Sequence, residues 1–145
     1  MSGTTVRSYS PDRVTILVSG VPMTGLTDGT FVEIAPSVDL STMQVGADGE
    51  VARSISSNKT CTITITLQQT SPSNDVLSTL IEVDGYSGGR LFPVGVIDLR
   101  GRTVFEASQC WISQRPTITF AQEVSDRTWT IMSGAPSVWF AGGSL

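Results

Sequence analysis

Asn58–Gly85, NKTCTITITLQQTSPSNDVLSTLIEVDG, decides the reading of the whole chain. Its first half alternates without a break. Cys61, Ile63, Ile65 and Leu67 fall on one side, and Thr62, Thr64, Thr66 and Gln68 on the other. A period of two in β-branched residues specifies a pleated strand. The second half changes period. Val76, Leu77, Leu80 and Ile81 share one helical stripe, with Asp75, Ser78, Thr79 and Glu82 opposite. Ser71 or Ser73 can cap the helix start, Pro72 suits its first turn, and Gly85 suits a left-handed cap. The expectation is a strand, a tight connection and the chain's one helix, Ser73–Asp84.

Working outward, the N-terminal side begins with a small, polar arm, residues 1–11, that lacks periodicity and is expected to be flexible. Val14–Ser19 and Phe31–Ala35 read as strands, separated by a loop that carries Pro22, Gly25 and Asp28-Gly29. Residues 38–56 read as a projecting hairpin. Two arms, Val38–Val45 and Val51–Ile55, flank Gly46-Ala47-Asp48-Gly49, with Asp48-Gly49 at or near the tip. The arms mix Met43 and Val45 with Asp39, Gln44, Glu50 and Arg53, so neither has a face apolar enough to belong wholly to a core. Docking on another chain explains that mixture; an ordinary edge hairpin on the main sheet is the alternative.

On the C-terminal side, Tyr86–Arg90 is glycine-rich but lacks the spacing of a nucleotide fingerprint. Phe92–Leu99, Thr103–Gln114, Thr117–Val124 and Arg127–Ser133 read as strands, and Ala135–Phe140 as a last short strand or docked tail. The sum is one domain over 1–145: mainly β, a two-sheet sandwich or partly closed barrel, with one short α-helix.

Composition narrows the function. Charged residues are 15% of the 145, against about 25% in ordinary soluble domains. Net charge is −4, and no basic run marks a nucleic-acid groove. Histidine is absent, which removes the usual general base and the commonest metal ligand. Neither a Ser-His-Asp arrangement nor a Cys-x-x-Cys pair exists. Glu82 with Asp84, and Asp98 with Arg100, read as solvated charges. No catalytic, cofactor or metal site is expected. Cys61 and Cys110 read as free, buried thiols rather than a disulfide. No charged-then-apolar leader opens the sequence and no apolar run approaches ~18 residues, so the expected setting is a reducing cytoplasm, with no membrane span.

The faces that need explaining are three threonine stripes: Thr62, Thr64, Thr66 with Gln68; Thr117 with Thr119; and Thr128 with Thr130. Threonine has good strand propensity, but exposed sheets also carry Lys and Glu. Here Lys59 is the only lysine. An uncharged hydroxyl face suits a surface turned toward neighbours or an enclosed channel.

Taken together, the strand-then-helix unit Thr60–Gln69 and Ser73–Asp84, the hairpin before it, and the segment GEVARSISSNKTCTITITLQQTSPSNDVLSTL resemble the tail-tube proteins of contractile-tailed bacteriophages. The resemblance is strongest over residues 31–84. It implies a virion structural protein that forms hexameric rings stacked head-to-tail, assembled in the host bacterial cytoplasm. Sheath, baseplate and tail-terminator proteins would be its partners, and DNA would pass through the lumen without specific binding. Under that resemblance, Thr62, Thr64, Thr66 and Gln68 are candidates for the lumen or the subunit seam. Met43, Val45, Ala47, Asp48, Gly49, Glu50 and Arg53 are candidates for contact with the next ring. Three alternatives stand beside it: a tube protein of a type VI secretion or bacteriocin-like injection machine; a terminator or baseplate ring protein of similar fold; and, from a different class, a carbohydrate-binding β-sandwich using Trp111, Trp129 or Trp139 as platforms. Trp129 alternates in step with Ile131, which places it in a core.

Overall fold

A computed structural model describes residues 5–87 and 91–144 of the chain. Ten strands and one α-helix follow in order: β1 (Val14–Val18), β2 (Val21–Pro22), β3 (Val32–Pro36), β4 (Ser41–Val45), β5 (Val51–Ile55), β6 (Cys61–Gln68), α1 (Ser73–Ser87), β7 (Phe92–Asp98), β8 (Val104–Gln114), β9 (Asp126–Ser133) and β10 (Val138–Phe140). The protein is mainly β with two sheets of unequal size. Eight strands form one antiparallel sheet in the order β2-β1-β7-β8-β9-β6-β3, with β10 paired to β8, while β4 and β5 make a separate ladder. The large sheet curls. Val32 and Ile34 of β3 line one cavity with Val14 of β1 and Val96 of β7, yet no β3–β1 ladder forms, so the barrel is not closed.

The alternation of β6 sets the two faces. Cys61, Ile63, Ile65 and Leu67 are fully buried, and Thr62, Thr64 and Thr66 are partly exposed on the other side. Register carries this division across the sheet. Ile63 lies beside Ile131, and Ile65 beside Trp129. Farther along, Ile16 pairs Val96, and Val96 pairs Phe105. These residues share one core with Leu77 of α1, and Val76, Leu80 and Ile81 pack against it. The apolar stripe of the helix thus covers the apolar face of the sheet. Trp129, the residue placed in a core, is 3% exposed, and its indole N–H donates to Asn74 Oδ1 at 2.9 Å.

The connection into α1 is tied down by side chains. Ser71 Oγ accepts the Ser73 N–H at 3.2 Å and donates to the Thr24 carbonyl; Ser73 Oγ accepts the Thr24 N–H at 2.9 Å. Both serines are buried, so each hydroxyl satisfies backbone groups that water cannot reach. Gly25 makes this approach possible. Its φ is +66°, and a Cβ there would stand 2.6 Å from Ser71 Cβ. Gly25→Ala is therefore expected to cost about 1–3 kcal/mol from the left-handed backbone alone. The push on Ser71 adds to that cost. Thermal unfolding checks it, and a variant as stable as the parent would mean the loop moves aside freely.

Two sequence expectations change, and one alternative falls away. The helix runs through Ser87, so Gly85 lies inside it and is not its cap; the glycine-rich stretch Tyr86–Arg90 begins within that last turn, and its residues 88–90 lie outside the described residues. Thr117–Val124 forms no strand. Its side chains alternate correctly, but Pro116 carries no N–H to extend the β8 ladder, and the segment forms no ladder with any described strand. Ile118 and Phe120 stand 70% and 79% exposed. The hairpin is not an edge of the main sheet; it is a ladder of its own. For the N-terminal arm, residues 5–10 carry no regular structure, Pro11–Arg13 make one 3-10 turn, and residues 1–4 lie outside the described set.

Both cysteines are free and buried. Cys61 and Cys110 each pair with Ser133, one from β6 and one from β8, with β9 between them. Two strand spacings put their Cα atoms ~9–10 Å apart. That exceeds the ~7 Å a disulfide can bridge. Burial pushes both thiols above the usual range, opposed by a hydrogen bond with Ser133.

Candidate functional site

Two surfaces stand out, and neither has the chemistry of an active site. The first is the outer face of the curled sheet. Register places Thr62 beside Met132, Thr64 beside Thr130, Thr66 beside Thr128, and Gln68 beside Asp126. On the other flank, Ala35 lies beside Thr62 and Glu33 beside Thr64. The β8–β9 connection then brings in the remaining stripe. Thr117 and Thr119 line a shallow cavity with Gln114, Thr128 and Thr130. Three stripes that are separate in sequence thus become one uncharged surface, bordered by the carboxylates Glu33 and Asp126 and by Arg115. Thr62 Oγ1 contacts Met132 Sδ at 3.4 Å, and Thr27 Oγ1 donates to Asp126 Oδ2 at 2.9 Å.

The second surface is the hairpin. Every residue of β4 and β5 is exposed. Pairs across a ladder share a face, and the register pairs Ser41 with Ile55, Met43 with Arg53, and Val45 with Val51. Met43, Val45, Val51 and Ile55 therefore lie together, with Arg53 among them, while Thr42, Gln44, Ala52 and Ser54 take the opposite face. Neither arm showed this apolar stripe alone, because it exists only once the register is fixed. Met43 is 72% exposed and Ile55 68%, with no core of their own to cover them. Contiguous exposed apolar patches of this kind mark interaction sites. The tip holds Asp48-Gly49 as expected. Gly49 has φ +89°, its N–H reaches the Gly46 carbonyl at 3.0 Å, and Asp48 Oδ1 accepts the Glu50 N–H at 3.2 Å. Ala47 occupies the same turn.

The remaining aromatic candidates divide. Trp129 is buried and provides no platform. Trp139 packs edge-on against Phe105, with centroids 5.4 Å apart and planes at 88°, which ties the C-terminal strand to β8. Trp111 sits on the outer face beside Met132, 38% exposed. Asp98 Oδ1 accepts the Arg100 N–H at 3.0 Å, a turn contact. Among the described residues, no group of three or more Cys, Asp or Glu could hold a metal, and no helix is long and apolar enough to cross a membrane.

Comparison with known proteins supplies the context for these surfaces. The chain is 33% identical over 139 residues to structural protein ORF10 of Pseudomonas phage KPP10, spanning 90% of this chain and 80% of that protein. Its fold is similar to that of the tube-terminating cap of the anti-feeding prophage (TM-score 0.66, 9% identity, 94% of each chain). It is similar too to a chain in the sheath/tube terminator of the extracellular contractile injection system PVC (TM-score 0.64, 10% identity, 92% of this chain and 97% of that one). A chain of the PVC sheath-tube complex matches with a TM-score of 0.61 at 10% identity, over 89% of each. At such identities these three establish the fold alone. Residues 17–135 match the family described as bacteriophage PhiTE tail tube protein, which takes in both surfaces. With that match across most of the domain, the chain belongs to the PhiTE-type family of phage tail-tube proteins and is a structural component of a phage tail.

Proposed function

We propose that the chain assembles into hexameric rings that stack head-to-tail into the inner tube of a contractile tail, with the threonine face lining the bore through which DNA passes. The observation that carries this reading is the composition of the outer face. Thr64 and Thr66 meet Thr130 and Thr128 in register, Thr62 and Gln68 flank them beside Met132 and Asp126, and the border carries two carboxylates, Glu33 and Asp126, against one cation, Arg115. DNA must slide without sticking. Lys and Arg bind phosphates, so hydroxyls and carboxylates weaken the grip. Six copies at −4 each (6 × −4) give −24 per ring. That charge repels a phosphate polymer within a Debye length of about 8–10 Å. Edge strands of neighbouring copies joining around the ring would remove unpaired sheet edges, and head-to-tail stacking repeats without closing.

In this reading the protein is no enzyme and needs no cofactor. Its partners are sister copies, the sheath, the baseplate and a terminator. Sheath and terminator appear in the named assemblies of its structural relatives, which supports that part. Subunits are made and assembled in the host bacterial cytoplasm, where the two buried thiols stay reduced. The hairpin residues Met43, Val45, Ala47, Asp48, Gly49, Glu50 and Arg53 reach the next ring.

The bore assignment is tested with Thr66→Lys and Thr130→Lys. Thr64 is avoided because Glu33 lies directly beside it and would neutralise a lysine. Virions carrying both changes should assemble tails but eject DNA more slowly, as followed by dye release or potassium efflux. Ejection at the parental rate would remove this face from the bore. A second reading, a terminating ring, is favoured by the likeness to two terminators. Purified protein that makes single rings and never filaments would establish it over the tube.

A further inference from the structure

We propose that the hairpin tip of one copy docks in a groove at the hairpin root of the next, with Lys59 of the groove meeting Asp48 and Glu50 of the tip. The inference rests on the self-assembly reading above and adds the receptor for the hairpin. A cavity of about 430 Å³ opens where the hairpin leaves the body, lined by Val38, Leu40, Lys59, Ala135, Pro136 and Trp139 among others. That volume lies within the ~300–1,000 Å³ range of specific binding clefts. Its walls are mostly apolar, and Val38, Leu40 and Trp139 are exposed. Its charged member is Lys59, the only lysine of the chain.

The occupant must be apolar with negative charge at its end. The hairpin tip has both. Val45 and Val51 face one way on the last rung, Met43 follows on the rung behind, and Asp48 and Glu50 sit in the turn itself. Arg53 stands directly across from Met43, two residues back from the last rung. The tip cannot reach its own groove. Five paired residues at ~3.4 Å each hold it some ~17 Å from the root, and a paired ladder does not fold back on itself. A second copy brings the same tip to the same groove. Because tip and groove are different patches at opposite ends of one element, the contact is head-to-tail and repeats from copy to copy. Complementary charge at the rim of such a contact sets register and partner choice.

The single lysine makes the test direct. Assembled wild-type particles treated with a carbodiimide, which joins an amine to a nearby carboxylate, should yield Lys59 linked to Asp48 or Glu50. Mixed isotope-labelled and unlabelled subunits would show that the linkage lies between copies. Lys59→Glu should raise the concentration needed for filaments by roughly tenfold or more, since like charges then meet in the groove. Adding Asp48→Lys and Glu50→Lys to that variant should restore assembly. Lys59 cross-linked only to other carboxylates, or Lys59→Glu polymerising like the parent, overturns the groove while leaving the tube reading standing. Wild-type protein that forms no higher assembly at any concentration overturns both.

Discussion

Removing Ser41–Ile55 and joining Leu40 to Ser56 through Asn-Gly is expected to leave a folded domain that makes no tubes. The fold should survive because the hairpin pairs only with itself and none of its residues is buried. The chain can be closed there because the Ser56 N–H already donates to the Leu40 carbonyl at 2.9 Å. That bond is the one a two-residue turn makes, and Asn-Gly adopts the required backbone readily. Shortening an exposed connection changes its closure entropy by only about 0.6 kcal/mol per halving of length, in the stabilising direction. The unfolding midpoint should therefore barely move. Assembly should fail outright, because the excision removes Met43, Val45, Val51 and Ile55 together with the acidic tip. Negative-stain microscopy of the purified variant decides it: long tubes of normal diameter would mean the hairpin is dispensable.

Trp129→Ala is expected to have the largest effect on the fold itself. Trp129 is 3% exposed and lies between α1 and β6. Truncating a buried aromatic to alanine costs about 3–5 kcal/mol. For a chain of this size that lowers the midpoint by roughly 6–20 °C. The loss has two parts, and Trp129→Phe separates them. Phenylalanine keeps most of the apolar volume but cannot donate to Asn74 Oδ1. The hydrogen bond alone contributes about 1 kcal/mol. Phe should thus sit much closer to wild type than Ala. The same Asn74 side chain also donates to the carbonyls of Gln68 and Ser71, so it links the end of β6 to the start of α1. An alanine variant that melts within ~2 °C of wild type would mean the helix is not held to the sheet through this residue.

Much of this molecule is written locally. The alternation in Cys61–Gln68 determined which face of the central strand would be buried, because side chains in a strand point to opposite sides whatever its neighbours are. The stripe Val76, Leu77, Leu80, Ile81 determined the inward face of the helix, and Asp48-Gly49 the hairpin tip, since periodicity and turn chemistry are properties of a few consecutive residues. Only the tertiary structure decided what lies beside what. It gathered the three threonine stripes onto one surface, because strand order is set by the whole sheet and not by any one strand. It left Thr117–Val124 unpaired although the pattern alternates, because a strand needs ladder hydrogen bonds and this segment, opened by Pro116, makes none. It aligned Met43, Val45, Val51 and Ile55 on one face of the hairpin, because pairing register depends on both arms and the turn together. And it set Lys59 in a groove beside Trp139, 80 positions away in the chain, a neighbourhood that no local pattern can announce.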